Sequence, residues 1–202
     1  MSPATASSGR GPWRSRATLI GLFLLFAIPL GIATYVYRHP EVMGLGPQAN
    51  HGDLVQPPQP IEALALTDVR SGEAFPLTRL EGKWTLVYVA GDRCSLACGA
   101  SLYKMRQVRL SLGHESDRVQ RLYMARAGGG LPDVLADYPD MARARLAGTQ
   151  PQRMQRLFGD GAEGSVFVVD PHRNVMMRYG PDANAKGMLE DLKRLLEVSR
   201  IG

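Results

Sequence analysis

The sequence contains only two cysteines, and it lacks zinc-finger spacing, a phosphate-loop motif and any internal repeat. These absences exclude zinc modules, phosphate-loop nucleotide hydrolases and repeat solenoids. Charge of one sign is also scarce. The formal net charge is +5, and Arg10, Arg14 and Arg16 precede the first long apolar run, which leaves +2 for the remainder. So small an excess predicts no nucleic acid partner.

The first sixteen residues contain no Asp or Glu, and residues 17–37 contain no charged residue. A helix over 17–37 would span about 30 Å, the thickness of a bilayer core. Because basic flanks stay in the cytoplasm, we predict residues 1–16 as a cytoplasmic arm and 17–37 as the single-pass anchor of a bacterial inner membrane protein. The C-terminal part is then periplasmic. A cleaved signal peptide is the alternative, although no small-x-small cleavage site follows the long apolar run.

Residues 38–60 are rich in proline and glycine and have little apolar periodicity. Such a composition predicts an extended, flexible linker. The linker either carries the following domain toward a membrane-bound partner or serves as a simple spacer.

Residues 61–202 alternate strand and helix patterns, which predicts an α/β domain with a four- or five-stranded central sheet and helices on both faces. Residues 131–158 look mostly helical, with breaks at Pro139 and Gly148, and Asp182 or Asn184 is positioned to cap the last helix. We predict strands at 64–67, 84–90, 119–125, 165–169 and 175–179, a hairpin return at 72–80, and a helix at 98–112.

The chemistry-bearing segment is the Cys-x-x-x-Cys stretch, in which Cys94 and Cys98 lie where a buried strand ends and a helix begins. Unpaired N–H groups at a helix N-terminus stabilise a thiolate. Arg93 acts in the same direction and Asp92 opposes it. The pair therefore suits thiol–disulfide exchange, or binding of a soft ion such as Cu(I). A structural disulfide is the alternative, although so short a loop gains little stability from closure. Lys104, Arg106 and Arg109 give the helix a basic side, which is either a solvated face or a docking surface for an acidic partner.

These features resemble the SCO/SenC family of cytochrome c oxidase assembly proteins. The resemblance rests on Gly82-Lys83-Trp84 before the apolar strand, the Cys-x-x-x-Cys pair opening a helix, and the hairpin from Val166 to Pro171. It implies a thioredoxin-like domain on a membrane anchor that serves a cytochrome c oxidase subunit or other assembly factors. It also implies that Cys94 and Cys98 are the redox and copper-binding pair.

The family's third copper ligand is a histidine in the loop before the hairpin, and the matching residues 160–164 contain none. His172 falls in the hairpin turn, His114 follows the cysteine helix, and His39 and His51 belong to the predicted linker. Glu163 lies in the matching loop, but a carboxylate is a poor Cu(I) ligand. The sequence thus predicts a divergent member without the distal histidine.

Two functions follow from this resemblance. The first is a thiol–disulfide oxidoreductase that keeps a partner's copper-ligating cysteines reduced, with Cys94 attacking and Cys98 resolving. The alternative is a Cu(I)-binding chaperone that delivers copper to the oxidase without catalytic turnover. A third possibility is a domain that has lost both roles and only binds partners.

Overall fold

The computed structural model describes residues 12–39 and 50–199. The predicted arm before Pro12, linker residues 40–49 and the last three residues, 200–202, lie outside the described residues. The chain divides into two units at Ala49, and each is described by itself.

The first unit is the helix α1, Pro12–Arg38. Its stretch Arg16–Arg38 has a mean hydropathy of 2.3 and contains no buried residue, and it is long and apolar enough to cross a membrane. Pro29 lies inside the helix. The hydroxyl of Thr34 donates to the carbonyl of Leu30 at 2.8 Å, which keeps this polar group satisfied without water.

The second unit is built around two parallel strands, β3 (Trp84–Val89) and β4 (Val119–Ala125). The helix α2, Leu96–Ser111, connects them, because parallel neighbours need a crossover. All six residues of β3 are buried, as expected for a strand covered on both faces. The remaining elements are β1 (Asp53–Pro60), β2 (Leu66–Asp68), β5 (Ala142–Leu146), α3 (Pro151–Phe158), β6 (Val166–Val169), β7 (Asn174–Tyr179) and α4 (Ala185–Val198).

The seven strands form one mixed sheet in the order β1-β7-β6-β3-β4-β5-β2. Alternate residues of β3 point to opposite faces. Leu86 and Tyr88 join the core beneath α2 and α4, whereas Val87 and Val89 join the core beneath α3. The predicted α/β architecture is confirmed, with more strands than the four or five expected. The side chain of Asn184 caps α4 by accepting from the N–H of Lys186 at 2.8 Å.

Two segments differ from the sequence-based expectation. Residues 53–60, predicted as linker, form β1 against β7 and give the second unit its starting point at Asn50. The prolines of β1 are tolerated because it is an edge strand, where missing N–H donors cost nothing. Residues 142–146, predicted as helical, form β5 parallel to β4, with Ala144 and Leu146 buried and alternating with arginines.

A buried carboxylate fastens the start of the second unit to its last helix. Asp191 is 1% exposed, and its Oδ2 accepts from the backbone N–H groups of His51 and Gly52 and from the hydroxyl of Tyr179. Gly52 is required here, because a Cβ at that position would lie 2.7 Å from the side chain of Met177. His51 therefore belongs to the folded unit rather than to the linker.

Candidate thiol–disulfide site

The two cysteines lie at the edge of the sheet where the parallel strands β3, β4 and β5 end. β3 ends at Val89, the chain crosses residues 90–95, and α2 begins at Leu96. The carboxyl ends of parallel strands collect functional groups in open α/β sheets. The structure thus confirms the strand-to-helix junction predicted for Cys94 and Cys98.

Cys94 and Cys98 form a disulfide, with their Cα atoms 5.1 Å apart. The two residues differ in access: Cys98 is 3% exposed and packs in the core beneath α2, whereas Cys94 is half-buried at its margin. The side chain of Ser95, the N-cap residue, makes no capping hydrogen bond. The positive end of the α2 dipole is therefore left to act on Cys94 and Cys98, which favours a thiolate when the disulfide opens.

An ion-pair network joins the cysteine loop to the loop before β6. Arg126 Nη1 lies 3.0 Å from Asp92 Oδ1 and 2.8 Å from Glu163 Oε1. A Cβ on Gly91 would meet Glu163 Oε2 at 3.4 Å, so the two loops are in contact. Sequence reasoning missed Arg126, although its place directly after β4 puts it at the same sheet edge as the cysteines.

A cavity of about 500 Å³ opens at this edge on the other face of the sheet. Its apolar walls include Val89, Met124 and Met154, and Arg126 and Glu163 stand at one side. The wall residues belong to the core beneath α3, whereas Cys98 belongs to the core beneath α2. The cavity and the disulfide are thus neighbours across the end of β3.

Of the histidines in the second unit, His51 precedes β1 and so lies at this edge, but β1 is three strands away from β3; the other two lie elsewhere. His172 is exposed in the turn between β6 and β7, and β6 runs antiparallel to β3, so the turn lies at the opposite edge of the sheet, about 20 Å away. His114 follows α2 and contacts Glu115, and His51 Nε2 lies 2.9 Å from Glu190 Oε2. Within residues 12–39 and 50–199, no group of three His, Cys, Asp or Glu side chains is arranged to hold a metal ion.

The two cysteines, once reduced, fit Cu(I) better than Cu(II). After reduction, two sulfurs at the start of α2 suit Cu(I), which accepts low coordination and soft ligands. They do not suit Cu(II), which prefers nitrogen and oxygen donors. The carboxylate of Glu163 is already paired with Arg126.

On the predicted basic side of α2, two of the three side chains make hydrogen bonds within the domain. Lys104 Nζ donates to the backbone carbonyls of Pro181 and Ala183, and Arg109 Nε donates to the carbonyl of Val119 at 2.6 Å. Arg106 is exposed, with its guanidinium 6.0 Å from the ring centroid of Tyr138. Sequence reasoning also missed Leu96, which lies between the cysteines and is 95% exposed.

A mixed sheet with a Cys-x-x-x-Cys disulfide at the start of the first crossover helix defines a thioredoxin-like domain, and it follows an apolar N-terminal helix long enough to cross a membrane. The chain belongs to the family of transmembrane-like, thioredoxin-like C-terminal domains, whose model matches residues 84–199. No curated protein matches the chain in sequence.

Solved structures of Sco proteins share the fold. Apo Sco1 from Thermus thermophilus matches with a TM-score of 0.54 and 17% identity, covering 73% of this chain and 98% of its own. Yeast Sco1 with copper bound matches with 0.51 and 19%, covering 67% and 91%. BsSco, a member of the Sco family of cytochrome c oxidase assembly proteins, matches with 0.52 and 16%, covering 72% and 99%. The resemblance to SCO/SenC proteins and the thioredoxin-like fold predicted from the sequence are confirmed; at these identities the structural likeness concerns the fold.

Proposed function

We propose that this protein is a membrane-anchored thiol–disulfide oxidoreductase of cytochrome c oxidase assembly that reduces the copper-ligating cysteines of a partner. The observation that carries the proposal is the Cys94–Cys98 disulfide at the start of α2, with Cys94 half-buried at the margin of the core and Cys98 buried within it. Thiol–disulfide exchange uses such a difference in access, because one thiolate must attack the partner's disulfide and the second must then resolve the mixed disulfide from within the same chain. The fold shared with BsSco and other Sco proteins supports the assignment to oxidase assembly.

The proposed reaction starts from the reduced pair. The Cys94 thiolate attacks one sulfur of the partner disulfide, the partner's S–S bond breaks, and one partner thiolate leaves. The Cys98 thiolate then attacks Cys94, which releases the second partner thiolate and forms the Cys94–Cys98 disulfide. Two electrons pass from this chain to the partner, and a dithiol reductant in the same compartment restores the pair. The described structure corresponds to the oxidised end of this cycle.

The proposal predicts stoichiometric transfer of two electrons to a peptide whose two disulfide-bonded cysteines are separated by three other residues. The reduced full chain in detergent micelles should reduce one peptide per chain and become oxidised itself. The Cys98→Ser variant should stop at a mixed disulfide on Cys94, because the resolving thiol is missing, and mass spectrometry would detect the adduct. The Cys94→Ser variant is the matched control and should form little adduct, since Cys98 is buried. Equal adducts on both variants, or none on either, would contradict the assigned roles.

A Cu(I) chaperone is the second candidate, because two sulfurs at one helix start suit Cu(I) and the similar yeast Sco1 is described with copper bound. In this role Cu(I) is cargo for the oxidase. We expect anaerobic Cu(I) binding to the reduced chain to require both Cys94 and Cys98, and Cu(II) to oxidise the pair without a lasting Cu(II)–thiolate absorption band.

The control for copper binding is His172→Ala, which should leave Cu(I) affinity nearly unchanged because the turn is about 20 Å from the cysteines. A large loss of affinity in that variant, or a persistent Cu(II)–thiolate band in the parent, would show that a histidine completes the site. Transfer of Cu(I) to the partner without any change in the partner's thiol count would favour the chaperone over the reductase.

For localisation, we propose a bacterial inner membrane protein with its N-terminus in the cytoplasm and its thioredoxin-like domain in the periplasm. The support is the basic, acid-free flank before residue 17. A disulfide is also expected to persist in the periplasm, which is oxidising.

A further inference from the structure

The solvent-exposed side of α2 carries a row of three large apolar side chains. Leu96, Tyr103 and Leu110 are 95%, 59% and 55% exposed. They follow one another at intervals of seven residues, so they fall on nearly the same line along the helix. Ala100 is exposed between the first two. We call Leu96, Ala100 and Tyr103 the outer face of α2.

This face makes no contribution to the cores. The buried side of α2 consists of Cys98, Leu102, Met105 and Val108, which pack beneath the helix. An isolated exposed leucine is ordinary on a protein surface, but an aligned apolar row that begins between two reactive cysteines is not explained by folding.

Leu96 lies beside the cysteine that the partner's sulfur must reach. It lies between Cys94 and Cys98 in the sequence and is the first residue of α2. A sulfur that forms a bond to Cys94 brings its neighbouring residues against the residues beside Cys94. An almost fully exposed leucine at that point is desolvated on docking, which is favourable only if the partner's neighbouring side chains are apolar.

The exposed charges beside the row are positive. Arg93 precedes Cys94, and Arg106 lies one turn beyond Tyr103; both are exposed. The exposed carboxylate of Asp92 is paired with Arg126. The surroundings of the outer face therefore complement carboxylates on an incoming segment.

We propose that the outer face of α2 is the docking surface for the polypeptide segment that carries the partner's disulfide, and that this segment has an apolar residue beside its cysteine and carboxylates at its flanks. This inference rests on the proposed oxidoreductase function and adds the chemistry of the substrate to it.

The test measures how fast Cys94 reacts in the Cys98→Ser chain, held in nanodiscs of neutral lipid. One probe peptide has a cysteine activated as a thiopyridyl disulfide, with Leu next to it and Glu on each side. The matched peptide has Ser in place of Leu. Hydroxyethyl disulfide, a small neutral probe, normalises the intrinsic reactivity of Cys94 in each variant.

We expect the Leu peptide to react about tenfold faster than the Ser peptide, since burying most of one leucine side chain is worth about one such factor. Leu96→Ser should reduce this ratio to about twofold or less, and Leu96→Met should restore it. Leu110→Ser is the matched control. It removes an equally apolar side chain from the same row about 21 Å along the helix, beyond the reach of a short peptide, and should leave the ratio unchanged.

The outcomes separate the two claims. An unchanged ratio in Leu96→Ser, with normal reaction of all probes, would overturn the docking surface and leave the oxidoreductase function standing. Failure of Cys94 to react even with hydroxyethyl disulfide would remove the proposed function and the docking surface with it. Slowing of all three probes in nanodiscs of anionic lipid, abolished by Leu96→Ser, would assign the outer face to the lipid surface instead and overturn the proposal.

Discussion

At the residue scale, the proposed function depends on the unequal burial of the two cysteine side chains. Cys94 sits in a loop at the margin of the core, and Cys98 sits one turn into α2 with 3% of its surface exposed. A structural disulfide between two buried residues would resist exchange, whereas in this pair Cys94 is only half-buried, as the proposed exchange requires. The asymmetry follows from the local fold, because Cys98, the third residue of α2, lies on the side of the helix that packs on the core, whereas Cys94 lies in the loop before it.

Tyr88 gives a prediction about pH at the same scale. Burial, with the proximity of Tyr123 adding to it, raises the pKa of Tyr88 to about 12 from its ordinary value of 10.0. The neutral phenol is therefore favoured in the folded state, so its contribution to stability is complete below pH 10 and is lost as the pH rises toward 12. We expect the free energy of unfolding to decrease between pH 10 and pH 12 in the parent more than in Tyr88→Phe. The difference between the two decreases should be on the order of 2 kcal/mol.

Denaturant unfolding at several alkaline pH values would measure this difference. Tyr103→Phe is the control, because Tyr103 is 59% exposed, whereas Tyr88 is buried. Parallel pH profiles for Tyr88→Phe and the parent would contradict the prediction, as would an equal change in the Tyr103→Phe chain.

At the element scale, the sequence predicted the central strands β3, β4 and β6, and it predicted α2 and α4. These strands are almost entirely buried, so their largely apolar composition follows from their position; the exceptions are Thr85 in β3 and Gln120 and Arg121 in β4. β5 was wrongly predicted because alanine, arginine and leucine favour helix, and only pairing with β4 makes the segment a strand. β1 was missed because its prolines suggest a linker, and only pairing with β7 shows that they occupy an edge strand.

The sequence predicted only the part of the site that depends on local patterns. Cys94 and Cys98 are close in the sequence, so their place at a strand-to-helix junction could be inferred from local patterns. The contact of Arg126 with Asp92 and Glu163 joins three loops that are far apart in the chain. Contacts of that kind depend on strand order, which local periodicity does not contain.

At the scale of the whole molecule, a lasting Cys94–Cys98 disulfide requires the thioredoxin-like domain to lie in an oxidising compartment. The basic flank before residue 17 predicts that the N-terminus stays in the cytoplasm and the domain is exported. An alkaline phosphatase fusion after Gly202 should therefore be active, and a fluorescent protein that folds only in the cytoplasm should be dark at the same position. The reverse pattern would contradict both the orientation and the proposed compartment.

The most direct test of the central claim is a redox titration of the folded full chain, read by thiol alkylation and mass spectrometry. We predict that mild dithiothreitol reduces the Cys94–Cys98 disulfide reversibly while the domain stays folded by circular dichroism. After reduction a small alkylating reagent should label both cysteines, the buried Cys98 more slowly than Cys94, and after reoxidation it should label neither. If both cysteines resist labelling until the domain unfolds, the disulfide is a buried structural staple and the chain is not a thiol–disulfide oxidoreductase.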